Sequence, residues 1–368
     1  MVMNIPLADP TRELKKIKNF DSNFNKKLHQ GIYVGGNDVN NFENNFKNHV
    51  GSKYSISVNS GTDALLLSLI SLGIKKGDQI IIPSFTFFAT VECIMQLGAI
   101  PIFVDINLET YTVDINDFER KMNKKIKAVI PVHLFGNNSN INDIKKICNK
   151  YQVKIVEDVA QAFGSKTKNN KALGSVGDLG AFSFFPSKTL GGIGDGGCIT
   201  TNNYSYFKQI RKLKNHGQDK AYEHEIVGFN SRLDALNAFV LNEKLNIFNK
   251  IKKSRDEFYN FYIENLSHYD WMKLPIKENE NIVMNYFTIQ ISSRIRESFM
   301  KYMSENKVGV SIYYKKPLHL QKAVLDKYEK ISLKNTEKAS RTLVSLPFYS
   351  FPEEKELEYL LSKIENFR

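Results

Sequence analysis

Along the first two thirds of the chain, short runs of β-branched and aromatic residues alternate with stretches in which apolar positions recur every three or four residues. The runs 55–58, 79–83, 100–105, 128–133, 153–157, 180–184 and 197–201 read as strands. Between them, 63–72 and 141–151 carry the apolar stripe of helices. Strand and helix in alternation predict an α/β domain whose seven strands form one mostly parallel sheet flanked by helices.

From Asn242 the texture changes. Residues 242–266 read as one long charged helix, and only two further strands follow, 286–291 and 309–314. The pattern predicts a large domain, 1–241, that includes an N-terminal arm, and a smaller α+β domain, 242–368. No repeat, low-complexity tract or long Pro/Gly linker intervenes, so the two are expected to pack together.

Composition narrows the setting. The 368 residues are 42% hydrophobic, enough for a large core. The apolar run 64–70 is far shorter than the roughly 20 residues that span a bilayer, and the start, MVMNIPLADPTRELKK, lacks the continuous apolar stretch of a signal peptide. The three cysteines, Cys93, Cys148 and Cys198, are widely spaced and have no metal-ligand pattern, which fits a reducing cytoplasm and predicts no metal site. The net charge of +12 raises the question of a polyanionic partner. Its lysines are dispersed among acids and asparagines along helical stretches, as a solvated surface requires, so neither nucleic acid nor membrane insertion is expected.

In open α/β sheets, ligands bind beyond the carboxyl ends of the strands, and four segments fall there. Val58-Asn59-Ser60-Gly61-Thr62-Asp63 turns from a strand into a helix through small residues. Its N–H groups and hydroxyls suit a phosphate, although Ser, Thr and Asp are also ordinary helix caps. Glu157 and Asp158 follow a buried strand; Asp158 could cap a helix or hold the N–H of a heteroaromatic ring. Phe85-Thr86-Phe87-Phe88 follows another strand, where an aromatic could enter the core or stack on a flat ligand. The fourth segment, Phe182 to Gly197, reads FSFFPSKTLGGIGDGG and sets Lys188 between an apolar strand and a glycine-rich loop. Partial desolvation there would favour the nucleophilic free amine, the property of a Schiff-base lysine. Together the four offer a phosphate cradle, a carboxylate for a ring nitrogen, an aromatic face and a Schiff-base lysine, which is what pyridoxal 5′-phosphate requires.

The order of the motifs NSGTDAL, PSFTFFAT, VEDVAQAFG, FFPSKTLGGIGDGG, NHGQD, FNSRLDAL and YYKKPLHLQ resembles the DegT/StrS-type sugar aminotransferases, pyridoxal-phosphate enzymes of the type I, aspartate aminotransferase fold. The resemblance runs from Asn4 to the C-terminal helix. It implies that Lys188 carries the cofactor and moves protons, and that Asp158 meets the pyridine nitrogen with Gln161 near the ring's 3-hydroxyl. Phe87 would stack on the ring, while Gly61, Thr62 and Ser183 hold the phosphate. It further implies a homodimer in which Asn230 reaches the partner's phosphate and Arg232 an anionic group of donor or sugar; Tyr314 and His319 would contact the sugar nucleotide. Related 3-dehydratases have histidine where Lys188 stands, so lysine favours transamination.

The expected reaction moves an amino group from L-glutamate to a ketone of a dTDP- or UDP-linked hexose, at C3 rather than C4, in amino-sugar biosynthesis for O-antigen lipopolysaccharide, capsule, glycan or antibiotic. The competing reading is a non-catalytic PLP-binding regulator that binds nucleic acid, but no helix-turn-helix pattern or clustered basic helix supports it. A P-loop nucleotidase is excluded by the absence of GxxxxGK[ST].

Overall fold

The computed structural model describes residues 3–367. Its main sheet contains β1 (Tyr54–Val58), β2 (Gln79–Pro83), β3 (Ile100–Val104), β4 (Ile126–Val129), β5 (Lys154–Asp158), β6 (Leu179–Ser183) and β7 (Gly197–Thr201), in the order β1-β7-β6-β5-β4-β2-β3. All neighbouring pairs from β6 through β5, β4 and β2 to β3 are parallel, whereas β7 is antiparallel to both β6 and β1. Six strands therefore end on the same side and β7 alone starts there. Helices cover both faces, which is why β2, with Ile80, Ile81 and Ile82 fully buried, reads as a continuous apolar run rather than an alternating one.

All seven strand runs enter this sheet, six of them within one residue of the expected bounds at each end. Regular pairing of β4 ends at Val129, not His133. Pro131 has no N–H to give; its carbonyl accepts from Asp158 N at 2.9 Å, and Val132 adds a single bridge to Asp158.

The expected long helix is two, Ala235–Asn246 and Phe248–Leu266. Ile247 leaves helical geometry at φ −105°, ψ 10°, and packs its side chain against the core of the main sheet. The second helix then runs to a small antiparallel sheet. After the short hairpin of β8 (Gln218–Lys220) and β9 (Glu223–His224), this sheet comprises β10 (Met272–Lys273), β11 (Phe287–Ile291) and β12 (Leu343–Leu346). Tyr262 and Phe287 pack there with ring centres 4.3 Å apart, and the Tyr262 hydroxyl donates to Pro347 O at 2.8 Å.

Residues 309–314 do not form the expected strand. Gly309 N donates instead to Ile5 O at 2.7 Å, and only Ser311 bridges a strand, at Ser345 of β12. The N-terminal segment thus takes up hydrogen-bonding groups of the C-terminal part, and Phe348 N donates to Leu7 O at 3.0 Å. Loop 309–314 is left free to pass across the ends of the main strands.

Candidate active site

At the common carboxyl end of the strands lies a cavity of about 600 Å³. Gly61, Thr62, Phe87, Asp158, Gln161, Ser183, Lys188 and Tyr314 line it, together with Tyr286, Ile312 and Tyr313. Residues from β1, β2, β5 and β6 meet there because parallel strands end together. The 21 residues of its lining contain a single basic side chain, Lys188.

One end of the cavity is built by the turn after β1. Ser60 caps the helix Gly61–Ser71 by accepting from Asp63 N at 3.0 Å, which leaves the first N–H groups of that helix facing the cavity. Gly61 approaches β6 so closely that a Cβ there would lie 2.7 Å from the Cβ of Ser183. Only glycine permits this approach of the helix N-terminus to the Ser183 hydroxyl.

The two acids at the end of β5 separate by strand alternation. Glu157 is fully buried on the far side, where it accepts from Gly174 N (2.9 Å), Val176 N (2.8 Å), Gly177 N (2.6 Å) and a ring nitrogen of His133 (3.0 Å). It braces the strand and does not face the cavity. Asp158 does. Its carboxylate accepts from the Thr90 hydroxyl at 3.0 Å and Ala160 N at 3.1 Å. Burial pushes its pKa above the ordinary aspartate value, against those two hydrogen bonds and the charge of Lys188. Among the described residues no basic side chain forms an ion pair with Asp158, so its charged form is best matched by a cationic N–H supplied from within the cavity.

Gln161 is fixed at both ends of its amide: it accepts from Phe135 N at 2.9 Å and donates to the Tyr314 hydroxyl at 2.8 Å. Burial drives the Tyr314 phenol well above its usual pKa, so it remains a neutral donor. Phe87 is 58% exposed and turns a ring toward Tyr314, 6.1 Å away centre to centre. An apolar ring left this open offers a stacking surface. Phosphate-binding turn, buried carboxylate, aromatic face and lysine occupy one cavity, a donor set that fits pyridoxal 5′-phosphate with space left for a second molecule.

Three residues expected at the site lie off this cavity. Asn230 is exposed, its backbone bridged to Asn215. Arg232 lines a separate polar groove of about 360 Å³ with Lys208, Arg211 and Asn215. His319 is buried, 1% exposed: its Nδ1 pairs with the Ser84 hydroxyl at 2.7 Å and its Nε2 lies 3.6 Å from Glu337. The turn Leu318–Leu320 tucks this imidazole under the end of β2, because Leu318 N donates to Ser84 O at 2.9 Å. His319 thus lies outside the lining of this cavity.

Conversely, Tyr286, Ile312 and Tyr313 were not singled out from the sequence, yet they form much of one wall. They belong to the C-terminal part; Tyr313 opens the motif YYKKPLHLQ, but no local motif marks Tyr286 or Ile312. The clustering of tyrosines in 313–314 was the one available signal.

Residues 15–365 match the model of the DegT/DnrJ/EryC1/StrS aminotransferase family. The chain is 35% identical, over 98% of its length and all of the relative's, to the UDP-2-acetamido-2-deoxy-3-oxo-D-glucuronate aminotransferase of Pseudomonas aeruginosa. It is 34% identical, over 99% of each chain, to the dTDP-3-amino-3,6-dideoxy-alpha-D-galactopyranose transaminase of Aneurinibacillus thermoaerophilus. Among solved structures, S. venezuelae DesV in complex with a ketimine intermediate superposes with a TM-score of 0.93 at 29% identity, covering 98% of this chain and 97% of that one. The chain belongs to the DegT/DnrJ/EryC1/StrS family and is a pyridoxal-phosphate-dependent aminotransferase.

Proposed function

We propose that this chain is a nucleotide-sugar aminotransferase that takes the amino group of L-glutamate and places it on a 3-keto group of a dTDP- or UDP-linked hexose. The observation that carries the reading is the convergence of Lys188, Asp158, Gln161, Ser183, Gly61 and Thr62 on one cavity. The named activities of the two relatives, one on a UDP sugar and one on a dTDP sugar, both at C3, support the substrate class and the position of the ketone.

When bound, pyridoxal 5′-phosphate supplies the electron sink that lets a C–H bond next to nitrogen ionise. The chain supplies the rest. Lys188 would be the covalent anchor for the group, and its free amine would carry the proton of the transfer. Asp158 holds a proton at the ring nitrogen, and Thr90 and Ala160 hold Asp158. Gln161, clamped by Phe135 N and Tyr314, orients the ring's hydroxyl edge. Phe87 covers one face and keeps water from it. Gly61, Thr62 and Ser183 bind the phosphate at the helix N-terminus.

Asn230 and Arg232 serve the second site of a homodimer, where the stretch 229–232 of one copy completes the cavity of the other. Tyr314 borders the sugar. The product is an amino sugar for surface polysaccharide or a glycosylated metabolite, made in the cytoplasm. The test is to offer matched 3-keto and 4-keto sugar nucleotides with glutamate and locate the new amine by NMR. Amination at C3 supports the reading, while efficient amination at C4 alone overturns the regiochemistry.

A further inference from the structure

Lys188 has one aromatic neighbour that the reading above does not use. Its nitrogen lies 6.0 Å from the ring centre of Tyr286, the residue before β11, which is only 6% exposed although it borders the cavity. The Tyr286 hydroxyl is 3.5 Å from that of Ser187, next to Lys188 in the chain. Its ring packs on Tyr313 at 4.5 Å between centres and, edge-on, against Phe135 at 6.2 Å. The backbone just before it is clamped: Arg255 donates to Met284 O at 3.1 Å and to Asn285 O at 2.8 Å, and the side chain of Asn285 accepts from Thr189 N at 2.9 Å and from the Thr189 hydroxyl at 3.0 Å. The residues on both sides of Lys188 are therefore tied to Tyr286 and its neighbour Asn285. A phenol carried by the C-terminal part is fixed beside a lysine carried by the main sheet.

We propose that Tyr286 is a positioning residue for Lys188, its hydroxyl acting as the polar partner that orients the lysine nitrogen in the cavity and favours its protonated form. The proposal rests on the assignment of Lys188 as the cofactor-bearing residue. Electrostatics agree with it. Burial alone would raise the Tyr286 pKa, yet the Lys188 charge, with the nearby Ser187 hydroxyl, outweighs burial and brings it below the ordinary tyrosine value. As a general rule, negative charge developing on a phenol next to a cationic nitrogen favours the proton on that nitrogen. The other titratable groups around this pair are Tyr313 and Tyr314 from loop 309–314, Asp158 from β5, and Arg255 from the helix beneath. Both tyrosines have pKa values raised by burial and stay neutral.

The experiment is a pH titration of the cofactor's absorbance in holoenzyme, comparing wild type with Tyr286→Phe and Tyr313→Phe. Tyr286→Phe keeps the ring packing and removes only the hydroxyl. Its midpoint for loss of the proton on the lysine-linked nitrogen is expected to fall by about one pH unit. In steady state, kcat is expected to fall by about 10- to 100-fold with KM for the amino donor changed by less than about threefold. Tyr313→Phe should shift the midpoint in the same direction by less. An unmoved midpoint in Tyr286→Phe overturns the proposal, even if kcat falls, because packing or substrate contact would then account for the loss. If wild-type protein shows a cofactor band with no link to Lys188, the assignment of that lysine fails and this inference with it; an unmoved midpoint on a Lys188-linked band overturns this inference alone. Should Tyr286→Phe be misfolded by circular dichroism, Tyr286→His, which keeps a polar ring, is titrated instead, with a midpoint between those of wild type and Tyr313→Phe overturning the primacy of the tyrosine hydroxyl.

Discussion

Gly61 and Ser183 stand so close that a single methyl group on Gly61 would lie 2.7 Å from the Ser183 Cβ. The contact joins the helix after β1 to the end of β6, two strands separated in the sheet by β7. Gly61→Ala must push these apart, at a cost of about 1–3 kcal/mol. The phosphate end of the cavity opens as a result. We expect cofactor affinity to drop by at least about tenfold, read by equilibrium dialysis, while kcat at saturating cofactor changes less. Unchanged affinity would place the phosphate elsewhere.

Asp158→Asn keeps the shape of the buried carboxylate and its hydrogen bond from Thr90 but removes the charge that holds a proton on the ring nitrogen. Cofactor should still bind, and turnover should fall on the order of 10³-fold. Thr90→Val, which removes one of the two fixed partners of Asp158, should cost much less, about tenfold. Turnover of Asp158→Asn near that of wild type would mean that another group protonates the ring.

The chemistry of the four strand-end segments was legible in the sequence because each lies within a few residues of its own strand. Lys188, Asp158, Gly61 and Phe87 reach the cavity by local geometry, once the sheet is parallel. Tyr286, Ile312 and Tyr313 reach it only because Ile5 and Leu7 pair with Gly309 and Phe348 and hold the C-terminal part over the strand ends. No local pattern encodes that placement. The same long-range pairing explains why the alternating run 309–314 is not a strand, and why β12, only four residues long, went unread. His319 sits in the motif PLHLQ, which says nothing of Ser84, its partner 235 positions away.

That buried histidine makes stability depend on pH. Burial holds the His319 imidazole below its ordinary pKa, against the pull of Glu337. The unfolded chain therefore binds a proton that the folded chain resists. His319 leaves stability untouched well above the ordinary histidine value of about 6.5 and lowers it as pH falls through that value. Thermal melts from neutral to about pH 5 should show a steeper loss in wild type than in His319→Gln. Parallel profiles would assign the acid sensitivity to other groups.

A shared site makes a prediction of its own. If Arg232 completes the partner's cavity, Lys188→Ala and Arg232→Ala proteins are each inactive, but mixed dimers contain one site carrying neither lesion. Subunit exchange should restore up to about a quarter of wild-type activity in an equimolar mixture. No recovery under conditions where mixed dimers form would show that Arg232 acts within its own chain or not at all.

The central claim is that Lys188 carries the cofactor and yields it to an amino donor. Borohydride reduction followed by peptide mass mapping tests this most directly, because it fixes the cofactor wherever it is attached. The account predicts a phosphopyridoxyl group on Lys188 alone in the resting protein, and its loss from that position when L-glutamate is added before reduction. A label on any other lysine, or one on Lys188 that no amino donor diminishes, would contradict it.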